Sequence, residues 1–225
     1  MPAETPDTDP KDRILDAALP HVAFDGWSAT TFAAAICDSG IAPGLARALF
    51  SRPADLALFW HRRGDDHMTA TLAARDLTQL RFRDRITLAL RLRLAAADRE
   101  VMRRSTALFA LPQHAADGAK AVWHTADAVW RALGDTSRDL NWYTKRASLS
   151  AVHAATLLYW LGDDSPDQSA TWSFLDRRID DVMRFEKSKA TFRENPVGKA
   201  LLAGPLKVLE RIHAPEPRND LPGHS

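Results

Sequence analysis

An all-α protein is predicted, on three observations. Large apolar residues recur at helical spacing along the chain, good N-cap residues stand ahead of these runs, and glycines close them at Gly26, Gly40, Gly134 and Gly162. Between Lys11 and Phe50 the order is helix, glycine turn, short helix, glycine turn, short helix. That order is a helix-turn-helix arrangement. A larger helical body follows it, and an amphipathic segment closes the sequence.

Residues 1–10 hold three prolines and read as a disordered tail. Lys11 to Phe24 forms the first helix, with Ile14, Leu15, Ala18, Leu19, Val22 and Phe24 crowding one side, and Pro20 is expected to bend or shorten it. A second helix starts after Ser28 or Thr30 and runs to Cys37. A third covers Leu45 to Phe50, and Arg52-Pro-Ala-Asp-Leu56 opens a fourth. Domain units are read as 11–66 for the helix-turn-helix bundle, 67–190 for a ligand-binding and dimerisation body, 195–213 for the amphipathic helix and 214–225 for a tail.

From Met68 the charge reverses. Nine arginines from Arg75 to Arg104 outnumber four acids by five, interleaved with Leu80, Phe82, Ile86, Leu88, Leu90, Leu92 and Leu94. Alternation alone would suit a strand, but the alanine-rich continuation and the lack of turn residues favour a pair of helices. Two readings stand for the arginines: a solvated face with snorkelling stems, or attraction to anionic lipid or an acidic partner. Lys120 to Leu133 then places Val122, Trp123, Ala126, Val129, Trp130 and Leu133 at helical spacing.

One uninterrupted helix of about six turns runs from its N-cap Asp139 to Leu161, with no face wholly polar, and is expected to lie inside. Its first turns carry Trp142 and Tyr143 beside Lys145 and Arg146, so that end is expected to reach a surface, with at least one ring well exposed. Ser165 and Gln168 have the spacing of a capping box with Pro166 at the first position. The helix they open is expected to reach Lys189, with Trp172, Leu175, Ile179, Val182 and Met183 on one face.

At 225 residues, with 45% hydrophobic and 26% charged residues, the chain is globular. A net charge of +1 gives no global attraction to nucleic acid or membrane. The single cysteine, Cys37, fits a reducing compartment and reads as a small core residue. The first nine residues carry Glu4, Asp7 and Asp9 and no base, unlike a secretory or organelle leader, and the longest near-apolar run is too short to span a bilayer. A cytoplasmic location is expected.

Ile14-Leu-Asp-Ala-Ala-Leu19, Asp25-Gly-Trp27 and Ser51-Arg-Pro-Ala-Asp-Leu56 resemble the opening of the TetR repressor family. DNA binding is nevertheless not expected. Residues 11–66 carry six basic against seven acidic side chains, and in the third helix only Arg47 could meet a phosphate or base edge. Two long consecutive helices late in the chain are where that fold builds a four-helix dimer interface, so a homodimer is expected.

A closer resemblance lies in Asp139-Leu-Asn-Trp-Tyr-Thr-Lys-Arg-Ala147, the Ser165-Pro-Asp167 after the next turn, and Thr171-Trp-Ser-Phe-Leu-Asp-Arg-Arg178. Together these are similar to the ubiquinone (coenzyme Q) biosynthesis accessory proteins, a TetR-like lipid-binding family of mitochondria and alphaproteobacteria. The similarity spans about Lys11 to Ile212. It implies a non-enzymatic dimer that binds isoprenoid lipid, attaches to membrane by a C-terminal amphipathic helix, and presents quinone intermediates to the di-iron demethoxyubiquinone hydroxylase. It implies a hydroxylase-binding patch at Trp142 and Tyr143 with Asp127 and Val129, which Lys145 and Arg146 flank. Peripheral attachment to a bacterial inner membrane is the matching location. A TetR-type regulator with a hydrophobic ligand is the alternative.

The C-terminal segment bears on this independently. On a helical wheel, Val197, Leu201, Leu202, Pro205, Leu206, Val208, Leu209 and Ile212 share one half, while Lys199, Lys207, Glu210 and Arg211 lie on the other. This suits a membrane-surface helix or a helix docked on its own protein. An internal apolar cavity is expected between the Asp139–Leu161 helix and the helices at Leu88–Leu111 and Lys120–Leu133, with Leu94, Leu111, Val122, Leu149, Val152, His153 and Trp160 as candidate lipid contacts. A bound isoprenoid quinone or phospholipid is expected and no other cofactor. His153 is read either as a satisfied core histidine or as a ligand contact. No catalytic motif and no metal site is visible, and Glu210-Arg-Ile-His213 lacks the partner carboxylates that a di-iron site requires.

Overall fold

The computed structural model describes residues 9–194. Among them, nine α-helices and two short 3-10 turns account for the regular structure. The N-terminal bundle is α1 (Pro10–Asp25), α2 (Ala29–Ser39), α3 (Pro43–Leu49) and the start of α4 (Pro53–Ala73). Ser28 caps α2 by accepting the amide of Thr31, and Asp55 closes the start of α4 by accepting from the Arg52 amide and guanidinium. Pro20 neither ends nor shortens α1, because its missing amide falls on the exposed side of the helix.

Ile14, Leu15, Phe32, Phe50 and Trp60 centre one apolar core, which Leu94, Met102, Leu157 and Trp160 join from the larger body. A second core gathers Met68, Leu72, Ile86, Leu90, Val129, Leu149, Val152 and Leu175. The expected boundary at residues 66 and 67 falls inside α4, which runs unbroken from one core to the other.

The body continues with α5 (Phe82–Ala95), α6 (Arg99–Phe109), α7 (Ala115–Ala132), α8 (Leu140–Leu161) and α9 (Ser169–Glu194). Asp139 caps α8 as expected, its carboxylate accepting the Asn141 amide at 3.0 Å. The capping box expected at Ser165 and Gln168 does not form. Gln168 instead accepts from Trp160 Nε1 at 2.7 Å, and Asp163 accepts the amide and hydroxyl of Thr171 at the start of α9. Burying the Trp160 indole left its N–H needing an acceptor, and Gln168 supplies it.

Among the described residues, eight of the nine arginines between Arg75 and Arg104 have partners. Arg99 and Arg103 donate to carbonyls at the end of α8, Arg104 donates to Ala23 O at the end of α1, and Arg83 reaches Asp180 of α9 at 3.0 Å. Arg93 is buried on Asp65, Arg91 covers the Trp172 ring, Arg81 pairs with Asp84, and Arg85 donates to Leu80 O. Neither reading of this charge anticipated that arrangement, in which the guanidinium groups satisfy helix C-termini and carboxylates of the protein itself.

Three burial expectations are corrected. Cys37 is exposed, on the outer face of α2 rather than in the core. α8 is not buried all round: Leu158 is 60% exposed and Tyr159 41%, the latter stacked on Phe174 of α9 at 4.6 Å. Met183, in the α9 stripe, keeps 42% of its surface exposed. The expected calls on Val197, Leu201, Leu202, Leu206, Leu209 and Ile212 lie outside the described residues.

Candidate functional site

A largely apolar cavity of about 220 Å³ sits between α5, α7, α8 and α9. Phe82 and Ile86 enter it from α5, Trp130 from α7, Leu149 and Val152 from α8, and Ile179, Val182 and Met183 from α9; Lys145 and Ser148 of α8 are its polar lining. Positions 145, 148, 149 and 152 follow the i, i+3, i+4, i+7 spacing, so one stripe of α8 forms one wall. The volume equals about seven waters, at roughly 30 Å³ each, enough for a segment of a lipid rather than the whole molecule.

The end of α7 positions this wall. Gly134 adopts φ +78, which lets Asp135 N–H reach Trp130 O at 3.0 Å and Gly134 N–H reach Arg131 O at 3.0 Å, the paired bonds of a Schellman closure. Asp135 is thereby placed beneath the first turns of α8. It accepts from Lys145 Nζ at 2.8 Å, Ser137 Oγ at 2.8 Å and Arg146 Nη1 at 3.0 Å. Burial works against this carboxylate, but the three donors outweigh it and hold its pKa down at about 2. Arg146 also donates to Asp127 at 2.6 Å and lies 4.1 Å over the Trp142 ring.

The candidate lipid contacts divide accordingly. Leu149 and Val152 line the cavity, whereas Leu94 and Trp160 pack in the other core, Leu111 is 44% exposed, and Val122 and His153 do not line it. The cavity lies nearer the start of α5 and the middle of α9 than expected, because α6 turns toward α1 and α7 and Leu94 is drawn into the N-terminal core. Sequence reasoning missed Phe82, Ile86, Trp130, Ser148, Ile179, Val182 and Met183 as lining residues. For the α9 residues the signal was present in their shared stripe.

Two candidate partner contacts are corrected as surface groups: Val129 is 0% exposed and Arg146 2%. Val129 belongs to the apolar core, and Arg146 is drawn in by two carboxylates. Trp142 and Tyr143 are both half-buried, so neither ring is as exposed as expected: Trp142 packs 5.9 Å from Trp123 and 4.7 Å from Tyr143. Asp127 keeps a fifth of its side chain exposed while holding Arg131 and Arg146, and Lys145 keeps a third.

His153 belongs to a separate buried polar cluster. Arg93 Nε donates to Asp65 at 2.7 Å, Thr125 Oγ1 donates to the same carboxylate at 2.8 Å, and His124 meets its other oxygen at 2.8 Å. Burial would raise the Asp65 pKa, but His124, Arg93 and Thr125 more than offset it and leave it lowered. Burial, and secondarily the Arg93 charge, depress His153 to about 4 and His61 to about 3. His153 Nδ1 and His61 Nε2 have no hydrogen-bond partner, so His153 is a buried core histidine but not a satisfied one. No group of three metal-ligating side chains occurs among the described residues, and none of their helices is long and apolar enough to cross a membrane.

Comparisons with known proteins bear on these elements. A family profile described as COQ9 matches residues 115–186, which contain eight of the ten cavity-lining residues. The mitochondrial ubiquinone biosynthesis protein COQ9 of Rattus norvegicus is 30% identical over 203 residues, covering 85% of this chain and 64% of that protein. The probable mitochondrial ubiquinone biosynthesis protein coq9 of Dictyostelium discoideum is 30% identical over 193 residues, covering 82% and 63%, and the Homo sapiens COQ9 protein is 29% identical over 203 residues, covering 85% and 63%. The chain therefore spans a little under two thirds of the length of these relatives. Among solved structures, a TetR transcriptional regulator from Nitrosomonas europaea superposes with a TM-score of 0.61 at 20% identity, covering 75% of this chain and 95% of that one. That likeness shows a TetR-like fold.

Proposed function

The chain belongs to the COQ9 family of ubiquinone biosynthesis proteins, and we propose that it acts in that pathway as a non-enzymatic accessory protein that binds isoprenoid lipid. The observation that carries this reading is the apolar cavity walled by α5, α7, α8 and α9, most of whose lining falls in the family-matched residues. Burial of apolar chain at ~25 cal/mol per Å² drives such binding, and the cavity offers apolar walls from four separate helices. Isoprenoid quinone intermediates are the cargo, presented at the membrane surface to the demethoxyubiquinone hydroxylase. The half-buried Trp142 and Tyr143, with Asp127 and Lys145 beside them, form the contact with that enzyme, and residues 197–212 attach the protein to the membrane.

A homodimer formed through α8 and α9 fits the same reading. Leu158, Tyr159 and Phe185 are exposed on these two helices, more apolar surface than an isolated helix pair needs. The test of the lipid reading is native mass spectrometry of the purified protein with extraction of what it carries. Bound isoprenoid lipid that is lost when Val152→Trp fills the cavity is the expected result. Protein free of lipid, or lipid retained by the filled variant, would overturn it.

A further inference from the structure

Resting on the lipid reading above, we propose that the cavity selects lipids bearing a neutral oxygen acceptor, a carbonyl or ether, and seats that end against Lys145 and Ser148, with the hydrocarbon lying toward Val152 and Ile179. The wall formed by α8 is polarised along its length. Its stripe reads Lys145, Ser148, Leu149, Val152, with both polar groups at the N-terminal half and both apolar groups at the C-terminal half. A ligand lying along this stripe has one orientation in which its polar end meets donors and its chain meets hydrocarbon. The reverse orientation would bury an acceptor without a partner.

The donors are available. Ser148 Oγ makes no hydrogen bond with any described residue although it lines the cavity, and the Lys145 ammonium uses two of its three N–H groups, on Asp135 Oδ1 and Ser137 Oγ. Both lie on the α8 turns that follow the capped N-terminus, and Lys145 keeps a third of its side chain exposed.

The charge at this end decides between neutral and anionic head groups. Asp135, 4% exposed, sits 2.8 Å from Lys145 Nζ and 3.0 Å from Arg146 Nη1, and Asp127 holds Arg146 from its other side at 2.6 Å, so the two cations here are already matched by two carboxylates. A carboxylate or phosphate brought to Lys145 would be placed beside that buried Asp135 carboxylate, and the like charges would repel. A quinone-type carbonyl takes the hydrogen bond without the repulsion. Neutral acceptor lipids are therefore favoured over fatty acids and anionic phospholipids.

The test uses displacement of the neutral fluorophore N-phenyl-1-naphthylamine from the full chain by 2-nonanone, nonane and nonanoate. The ketone is expected to displace it at about one tenth of the concentration that nonane requires, with nonanoate no better than nonane. Ser148→Ala should raise the ketone's half-displacement concentration toward that of nonane while leaving nonane unchanged; Lys145→Gln should act in the same direction. Equal displacement by ketone and alkane, strongest displacement by nonanoate, or an unchanged ratio in Ser148→Ala would each overturn the proposal while leaving the lipid cavity standing. Absence of fluorophore binding, or binding unaffected by Val152→Trp, would remove the cavity reading and this proposal with it.

Discussion

Replacing His153 with leucine should flatten the acid side of the stability profile. In the fold, burial and the Arg93 charge hold His153 neutral down to a pKa of about 4 and His61 down to about 3. In the unfolded chain both titrate near ~6.5. Both groups are depressed, so their full contribution to stability is present above the unfolded pKa and is lost as pH falls from about 6.5 toward about 4, where only the unfolded chain takes up protons. At ~1.36 kcal/mol per pH unit, each histidine costs on the order of 2 to 3 kcal/mol between pH 7 and pH 4.5, and the two together on the order of 5. His124, Asp65, Arg93, Thr125 and His61 form the neighbouring polar cluster, and none of them is hydrogen-bonded to His153. Urea midpoints at pH 7, 6, 5 and 4.5 read the effect directly. His153→Leu should lose about half of the acid-dependent slope and, by removing an unpartnered ring nitrogen, unfold no earlier than the parent at pH 4.5. An unchanged slope would refute the assignment of a buried, neutral His153.

Gly64→Ala should destabilise by ~1 to 3 kcal/mol in urea unfolding, because the new Cβ would lie 2.8 Å from Arg93 Cζ, a guanidinium pinned by Asp65; a gain of the ~1 kcal/mol that alanine normally brings to a helix would contradict that packing. Trp142→Lys and Tyr143→Lys should each keep the dimer and bound lipid but lose pull-down of the hydroxylase, and hydroxylase retained by both would move the contact elsewhere. Leu202→Glu combined with Leu209→Glu should abolish flotation with liposomes, whereas unchanged flotation would mean that residues 197–212 do not carry the membrane contact.

The helices were legible because their signals are local. Ser28 and Asp139 stand at caps, and the apolar positions of α2, α7 and α9 repeat at helical spacing, so element type followed without tertiary information. What escaped depended on distant partners. Arg146 looks like a surface cation beside Trp142 until Gly134 turns the chain and brings Asp135 under it. Ser165 and Gln168 have capping-box spacing, but Trp160, on the previous helix, takes the glutamine. The cavity joins Phe82 to Met183 across about a hundred positions, and no periodicity within one helix records that meeting. The arginine-rich stretch misled for the same reason: its acceptors are the ends of α1 and α8, remote in sequence.

Native mass spectrometry of the purified chain, comparing the parent with Val152→Trp, tests the lipid cavity most directly. Neutral isoprenoid lipid should accompany the parent and be missing from the variant, with the dimer unchanged in both. A parent that carries no lipid, or a variant that carries as much as the parent, would contradict the assignment of the α5–α7–α8–α9 cavity as the lipid site.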